Sequence, residues 1–315
     1  MYLKKITTSL IATVMFSSNV LAASSVDVID WTDDRSNVSK YNISTDINGN
    51  KGIVDKNGTV VMDYVYKDIK ILPGWNKFAV QKSKGRWTII NISGENFLKS
   101  NYDYINTDYC ENGYVITGNY GANEFNNKEG AYNKNMELVI PVEYQSILYT
   151  DDGRLLAGKL NSENTYDYYV LTDEGTLEYV STLPGIISKS SITGTYYIKN
   201  YKSCLKYDSE TEKYTKGYIT VTGLADSDLN VLIEPIYEND TFSFYNNLAI
   251  VKKGSTSYEE KVSGKQGNGK YGIVDRNGNE IIECKYDSII RKVKNYILTL
   301  DNEKTTLTYD ELLNM

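Results

Sequence analysis

Histidine is missing from the chain altogether. Its absence excludes Ser–His and Cys–His nucleophile pairs, His-ligated zinc and an imidazole pH switch. Cysteine is scarce: Cys110, Cys204 and Cys284 are too few for a disulfide framework, and they are odd in number. They are expected as buried or half-buried free thiols, with a single disulfide as the alternative. Basic residues are outnumbered, 34 Lys and Arg against 41 Asp and Glu, for a net charge of −7, and they form no concentrated run. An acidic chain of this kind repels phosphate backbones, so nucleic acid is not an expected partner, and anionic membrane surfaces are disfavoured for the same reason. Only four prolines occur. Long helix-period apolar patterns are absent too, apart from a short turn around Tyr309 to Leu313, so helix is expected to contribute little.

One modest apolar stretch stands at the N-terminus, where Met1 to Ala22 reads MYLKKITTSLIATVMFSSNVLA. Two lysines, an apolar segment and the small-x-small ending Val20-Leu21-Ala22 have the layout of a secretory signal peptide cleaved near Ala22. No other stretch is apolar enough to span a bilayer, so a secreted or envelope-associated chain with no membrane span after cleavage is expected. An uncleaved N-terminal anchor is the alternative. No cysteine sits at the cleavage point to carry a lipid.

What the sequence does contain is a repeat. Lys51 to Ile69 reads KGIVDKNGTVVMDYVYKDI, and Tyr271 to Ile289 reads YGIVDRNGNEIIECKYDSI. Weaker copies run from Gly85 to Ile105, Gly130 to Ile147, Tyr168 to Ile187 and Gly217 to Tyr237. The aligned turn position is Gly58, Gly94, Met136, Gly175, Leu229 and Gly278, with separations of 36, 42, 39, 54 and 49 residues. That irregular period lies in the range of propellers and solenoids. After each copy comes a short apolar strand, such as Phe78-Ala79-Val80 or Leu248-Ala249-Ile250-Val251, so one unit holds three or four short strands.

The turn chemistry is legible. Asn57-Gly58 and Asn277-Gly278, flanked by Ile and Val runs, signal a hairpin, because both residue types tolerate positive φ. Asp55 and Asp275 precede these turns and can accept backbone N–H groups inside the loop. Gly94 and Gly175 mark the same position in weaker copies. Pro141 and Pro235 fall at equivalent points after the second apolar run, where a strand edge tolerates a missing N–H.

These residues resemble the WG repeat, also called the KWG repeat, of many bacterial proteins. Lys270-Tyr271-Gly272-Ile273-Val274-Asp275-Arg276-Asn277-Gly278, continuing to Tyr286-Asp287, carries the likeness most fully, with Tyr271 where the family usually has Trp. In the second copy Trp87 lies near that position, but Thr88 stands where glycine should be. The resemblance covers roughly residues 50 to 300. It implies β-structure of propeller-like or stacked kind, and it implies no catalytic residues.

The expected organisation is a signal peptide at 1–22, a segment at 23–47 suited to completing a terminal blade, an all-β repeat domain at 48–300 and a tail at 301–315. The expected fold is a propeller-like assembly of about six short β-meanders, with an open β-repeat array as alternative. Tyrosine is abundant, at 29 residues. It recurs in frame at Tyr66, Tyr102, Tyr144, Tyr237 and Tyr286, which points to packing between strands with a wet hydroxyl. Trp31 and Trp75 lie outside the frame and are candidate surface anchors. Asp226-Ser227-Asp228-Leu229-Asn230 copies half a calcium loop, but Val231 replaces the required glycine and Tyr237 the bidentate glutamate, so no metal is expected. No cofactor is expected either. Gly254 to Gly269 reads as an inserted surface loop. The leading functional expectation is a non-enzymatic module binding an unidentified protein or envelope glycan. A carbohydrate-active enzyme using Asp and Glu and a purely structural surface protein are the rivals.

Overall fold

A computed structural model describes residues 26–27, 41–82, 84–122, 126–208, 210–238, 242–255 and 268–315. The segment 1–22 expected to be a signal peptide, Trp31 and most of the Gly254 to Gly269 insertion lie outside the described residues. Among the described residues the chain is all-β, with seven antiparallel sheets in each of which the strands follow chain order.

The first sheet holds β1 (Val26–Asp27), β2 (Tyr41–Thr45), β3 (Lys51–Asp55) and β4 (Val60–Tyr66). The second holds β5 (Asp68–Leu72), β6 (Lys77–Gln81) and β7 (Trp87–Ile90). The third holds β8 (Tyr104–Asn106), β9 (Tyr114–Asn119), β10 (Lys128–Asn133) and β11 (Leu138–Tyr144). The fourth holds β12 (Ser146–Tyr149), β13 (Leu155–Leu160), β14 (Tyr166–Leu171) and β15 (Leu177–Leu183). The fifth holds β16 (Ile186–Lys189), β17 (Thr195–Asp208), β18 (Lys213–Asp226) and β19 (Val231–Glu238). The sixth holds β20 (Ser243–Tyr245), β21 (Leu248–Ser255), β22 (Asn268–Asp275) and β23 (Glu280–Tyr286). The seventh holds β24 (Ser288–Arg291), β25 (Asn295–Leu300) and β26 (Glu303–Thr308), followed by the helix α1 (Tyr309–Leu313). The segment set apart as a tail therefore supplies a strand and a helix, the helix opened by a Thr308–Glu311 capping box. Tyr41–Thr45 contributes a strand to the first sheet, where residues 23–47 were expected to complete a blade.

The sequence repeat is staggered against the sheets. In five of the six copies the frame hairpin forms the last two strands of one sheet, as β3–β4 and β22–β23 do, and in the second copy β7 ends its sheet with only isolated bridges beyond the turn; the apolar strand after each copy is the second strand of the next sheet, as β6 and β25 are. The seventh sheet consequently has no frame hairpin.

The six frame turns share one build. Asp55 N–H donates to the Thr59 carbonyl, Gly58 N–H donates to the Asp55 carbonyl, and the same pair of bonds recurs at Asn91, Asn133, Thr172, Asp226 and Asp275. The aligned position takes positive φ in all six: 80° at Gly58, 81° at Gly94, 66° at Met136, 82° at Gly175, 64° at Leu229 and 86° at Gly278. Asn57 and Asn277 do not share it, so of each Asn-Gly pair only the glycine uses the positive φ that both residue types tolerate. This is a type I turn followed by one left-handed residue forming a bulge, so only one position needs the left-handed region. Asp55 Oδ1 accepts from the amides of Asn57 and Thr59 at 2.8 Å each, as expected, and these bonds hold its carboxyl below the ordinary range. Asp275 repeats the pattern at 2.9 and 2.8 Å.

A second glycine is fixed by close approach. A Cβ on Gly52, Gly130, Gly223 or Gly272 would stand 2.7, 2.7, 2.2 or 2.5 Å from the carbonyl oxygen of Met62, Ile140, Ile233 or Ile282 on the neighbouring strand. At each of these glycines the ladder register shifts, so the bulge brings the partner backbone over the space where a side chain would sit. Pro141 and Pro235 lie on β11 and β19, the outer strands of their sheets, where no ladder N–H is required of them.

The chain divides into two compact units meeting at Ile147 and Leu148. In the first, Ile43, Ile53, Met62, Ile69, Phe78, Val80 and Ile90 form a core between the first and second sheets, and a further core lies between the second and third. In the second unit, cores lie between the fifth and sixth sheets and between the sixth and seventh. Each sheet is too small to bury its apolar face alone, so stacking against the next supplies the burial.

Candidate functional site

Trp75 is not the surface anchor suggested by its place outside the repeat. It is 4% exposed, belongs to the core between the second and third sheets, and its Nε1 donates to the Cys110 carbonyl at 3.1 Å. A Trp off the repeat frame can still be a core residue when a connecting turn folds inward. The in-frame tyrosines are structural, as expected: Tyr102, Tyr144 and Tyr237 are buried and Tyr66 and Tyr286 half-buried, and the Tyr102 hydroxyl pairs with that of Tyr132 at 2.9 Å.

All three cysteines are free, Cys110 and Cys204 buried and Cys284 half-buried. Burial pushes the Cys110 thiol up to about 12 and the Cys284 thiol up to about 11, so neither is a thiolate nucleophile near neutral pH. The Asp226 loop is one more frame turn, its Oδ1 accepting from Asp228 and Asn230 amides at 2.9 and 2.8 Å.

Two carboxylates, half-buried Glu129 and buried Glu238, are engaged by the fold. Glu129, raised above the ordinary carboxylate range by burial, accepts from the Tyr104 hydroxyl at 2.6 Å and from the Ile147 amide at 2.7 Å. Burial also pushes on Glu238, but the Lys252 ammonium at 2.9 Å and the Ser255 amide at 3.0 Å hold its carboxyl below that range. Tyr168 holds the place of Glu129 in its own repeat and does the same work, its Oη accepting from the Ile187 amide at 2.8 Å. The position is thus a stitch to the strand that follows.

The feature that sequence reading missed is the length of β17 and β18, 14 residues each. β16 pairs as far as Lys199 and β19 from Val221, so, among the described residues, 200–208 and 213–220 pair with each other alone. They form a two-stranded ribbon leaving the sheet. The register puts Tyr201 opposite Thr220, Ser203 opposite Tyr218 and Leu205 opposite Lys216, all on one face, with Tyr214 two residues before Lys216 on the same face. Tyr218 is 54% exposed and Tyr214 53%. Tyr201 and Tyr218 lie 5.8 Å apart, centroid to centroid, and the Lys216 ammonium stands 5.8 Å from the Tyr218 ring. On the other face Cys204 is buried and the Lys202 ammonium reaches the Ser255 carbonyl at 3.0 Å, which ties the ribbon to the start of the Gly254 to Gly269 insertion. The alternation of Tyr201, Ser203, Leu205 and Tyr207 is a period-2 signal that could have disclosed the ribbon.

The model for the WG containing repeat matches residues 223–256 and 271–303. No curated protein matches the chain. Among solved structures, the β-propeller domain of the Trilobed protease from Pyrococcus furiosus is 11% identical, with 86% of this chain and 88% of that one covered at a TM-score of 0.34. Porphyromonas gingivalis dipeptidyl peptidase 4 is 10% identical, with 89% of this chain and 49% of that one covered at a TM-score of 0.37. Pyrococcus horikoshii acylaminoacyl peptidase is 13% identical, with 87% and 51% covered at a TM-score of 0.32. The chain spans about half the length of these two peptidases.

Proposed function

We propose that this chain of WG-containing repeats is an exported, non-enzymatic binding module whose contact surface is the tyrosine face of the β17–β18 ribbon. The observation that carries the reading is the pair of half-exposed rings, Tyr214 and Tyr218, carried on one face of the two-stranded part of the ribbon. Tyrosine supplies a large amphipathic contact area at low side-chain entropy, and such residues dominate binding energy at interfaces. Partners of two kinds fit that face, a protein surface or an envelope glycan whose C–H faces stack on the rings. Export follows from the Lys4-Lys5 to Ala22 segment.

The test is retention of the purified, exported chain on envelope glycans and envelope proteins, with Tyr214→Ala/Tyr218→Ala beside it. Saturable binding lost in the double variant, with the melting temperature kept, supports the module. Binding untouched by the substitutions overturns the ribbon as its surface. Clear turnover of a cell-wall or plant glycan overturns the non-enzymatic reading, and a mature chain that still begins at Met1 overturns cleavage.

A further inference from the structure

In the second unit, the edge shared by the sixth and seventh sheets carries an arrangement that the fold does not use. Arg291, the last residue of β24, lays its guanidinium 3.7 Å from the ring centroid of Tyr245, the last residue of β20. Tyr245 is held from beneath: Arg276 donates from Nε and Nη2 to the Asn246 carbonyl at 3.1 and 2.6 Å, pinning the turn in which Asn246 takes a φ of 54°. Stacking fixes the guanidinium plane and leaves its edge of N–H donors open. Among the described residues the Arg291 guanidinium has no hydrogen-bond or ion-pair partner beside the Tyr245 ring, in a chain where acidic groups outnumber basic ones 41 to 34.

The stacked pair divides two hollows. One, of about 220 Å³, is lined by Ser243, Tyr245, Leu248, Ile250, Arg291 and Tyr296. The other, of about 420 Å³, is lined by Tyr245, Arg291, Lys292 and Val293. The first has a second unspent polar group in its wall: Tyr296 is 3% exposed, and its hydroxyl has no partner among the described residues. A buried hydroxyl left unpaired is destabilising, so its survival beside an open guanidinium calls for a ligand atom to satisfy it.

We propose that this pocket binds the carboxylate of a small ligand, of monosaccharide or amino-acid size. The guanidinium fork of Arg291 takes the two carboxylate oxygens, Ser243 and Tyr296 bond polar atoms of the body, and Leu248 and Ile250 line its apolar side. A planar monoanion suits the site better than a phosphate, because the fork matches carboxylate geometry and the net charge of −7 opposes multiply charged anions more strongly. The carboxylate comes either from an acidic sugar or from a peptide C-terminus. The pocket stands apart from the β17–β18 ribbon, so either reading survives the loss of the other.

The experiment is calorimetric or NMR titration of the full-length mature chain with D-glucuronate, D-glucose, acetyl-Ala-Ala, its amide and inorganic phosphate. One carboxylate is expected to bind while its neutral counterpart does not, and whichever binds names the source. Arg291→Gln should weaken that ligand about tenfold to a hundredfold, the range of a charge-assisted bidentate pair. Arg291→Lys should recover only part of the loss, since it restores the charge without the fork, and Tyr296→Phe should weaken binding severalfold with the melting temperature unchanged. Carboxylates binding no better than neutral counterparts, phosphate binding more tightly than either, or Arg291→Gln and Tyr296→Phe both binding as the native chain would each overturn the proposal.

Discussion

A single left-handed residue per turn is the unit from which this molecule repeats itself, and the two copies that lack glycine there show what else can hold it. A non-glycine residue in that region costs about 1–2 kcal/mol. Leu229, at a φ of 64°, is 2% exposed, and burying a leucine returns about 1.5–3 kcal/mol, enough to offset the strain. Met136, at 66°, packs against the core between the second and third sheets. Opposite outcomes follow. Gly58→Ala, at a φ of 80° with open space around the new Cβ, should destabilise by about 1 kcal/mol through backbone strain alone. Leu229→Gly should also destabilise, because the lost burial outweighs the relieved strain. Urea midpoints of the two variants check both, and a Leu229→Gly protein more stable than the native one would refute the offset.

Among elements, the frame hairpin owes its conservation of shape to contacts that reach across strands. Thr88 and Tyr169 stand where Gly52, Gly130, Gly223 and Gly272 stand in other copies, and at both places the partner strand differs. β7 has only isolated bridges to Asn96 and Tyr102 instead of a regular fourth strand, and β14 moves its register shift to Tyr168–Tyr169. The stitch at Glu129 makes a pH prediction. Burial raises its pKa, so the folded chain keeps a proton there to higher pH than the unfolded chain does. The stability associated with that proton is present below the unfolded value and is lost as pH rises through the folded one. The melting temperature of the native chain, taken relative to Glu129→Gln, should therefore fall as pH rises above the ordinary glutamate range, and a difference constant with pH would contradict it. The ribbon makes another. Because residues 200–208 and 213–220 pair only with each other among the described residues, replacing Leu205 to Lys216 by a short turn should leave circular dichroism and melting temperature near those of the native chain. A large loss of stability would show that the ribbon supports the sheet.

For the whole molecule, two compact units each closing their own intersheet cores predict that unfolding is not a single two-state event. Scanning calorimetry should give a measured enthalpy larger than the van't Hoff value, and a ratio near one would refute it. What the chain determines by itself is local. The Asp-x-Asn-Gly frame, the alternation of Ile and Val and the in-frame tyrosines specify six hairpins, the left-handed position in each, the carboxylate that caps the turn and the all-β class, because turn chemistry and strand pleat act over a few residues. The tertiary structure decided everything set by neighbours distant in sequence. It buried Trp75 under Cys110, staggered the repeat against the sheets, aligned β17 and β18 into a ribbon, and brought Arg291 over Tyr245, 46 residues earlier. No periodicity encodes such meetings. They depend on which sheet stacks on which, and that is decided by the burial of apolar faces that no single repeat can bury alone.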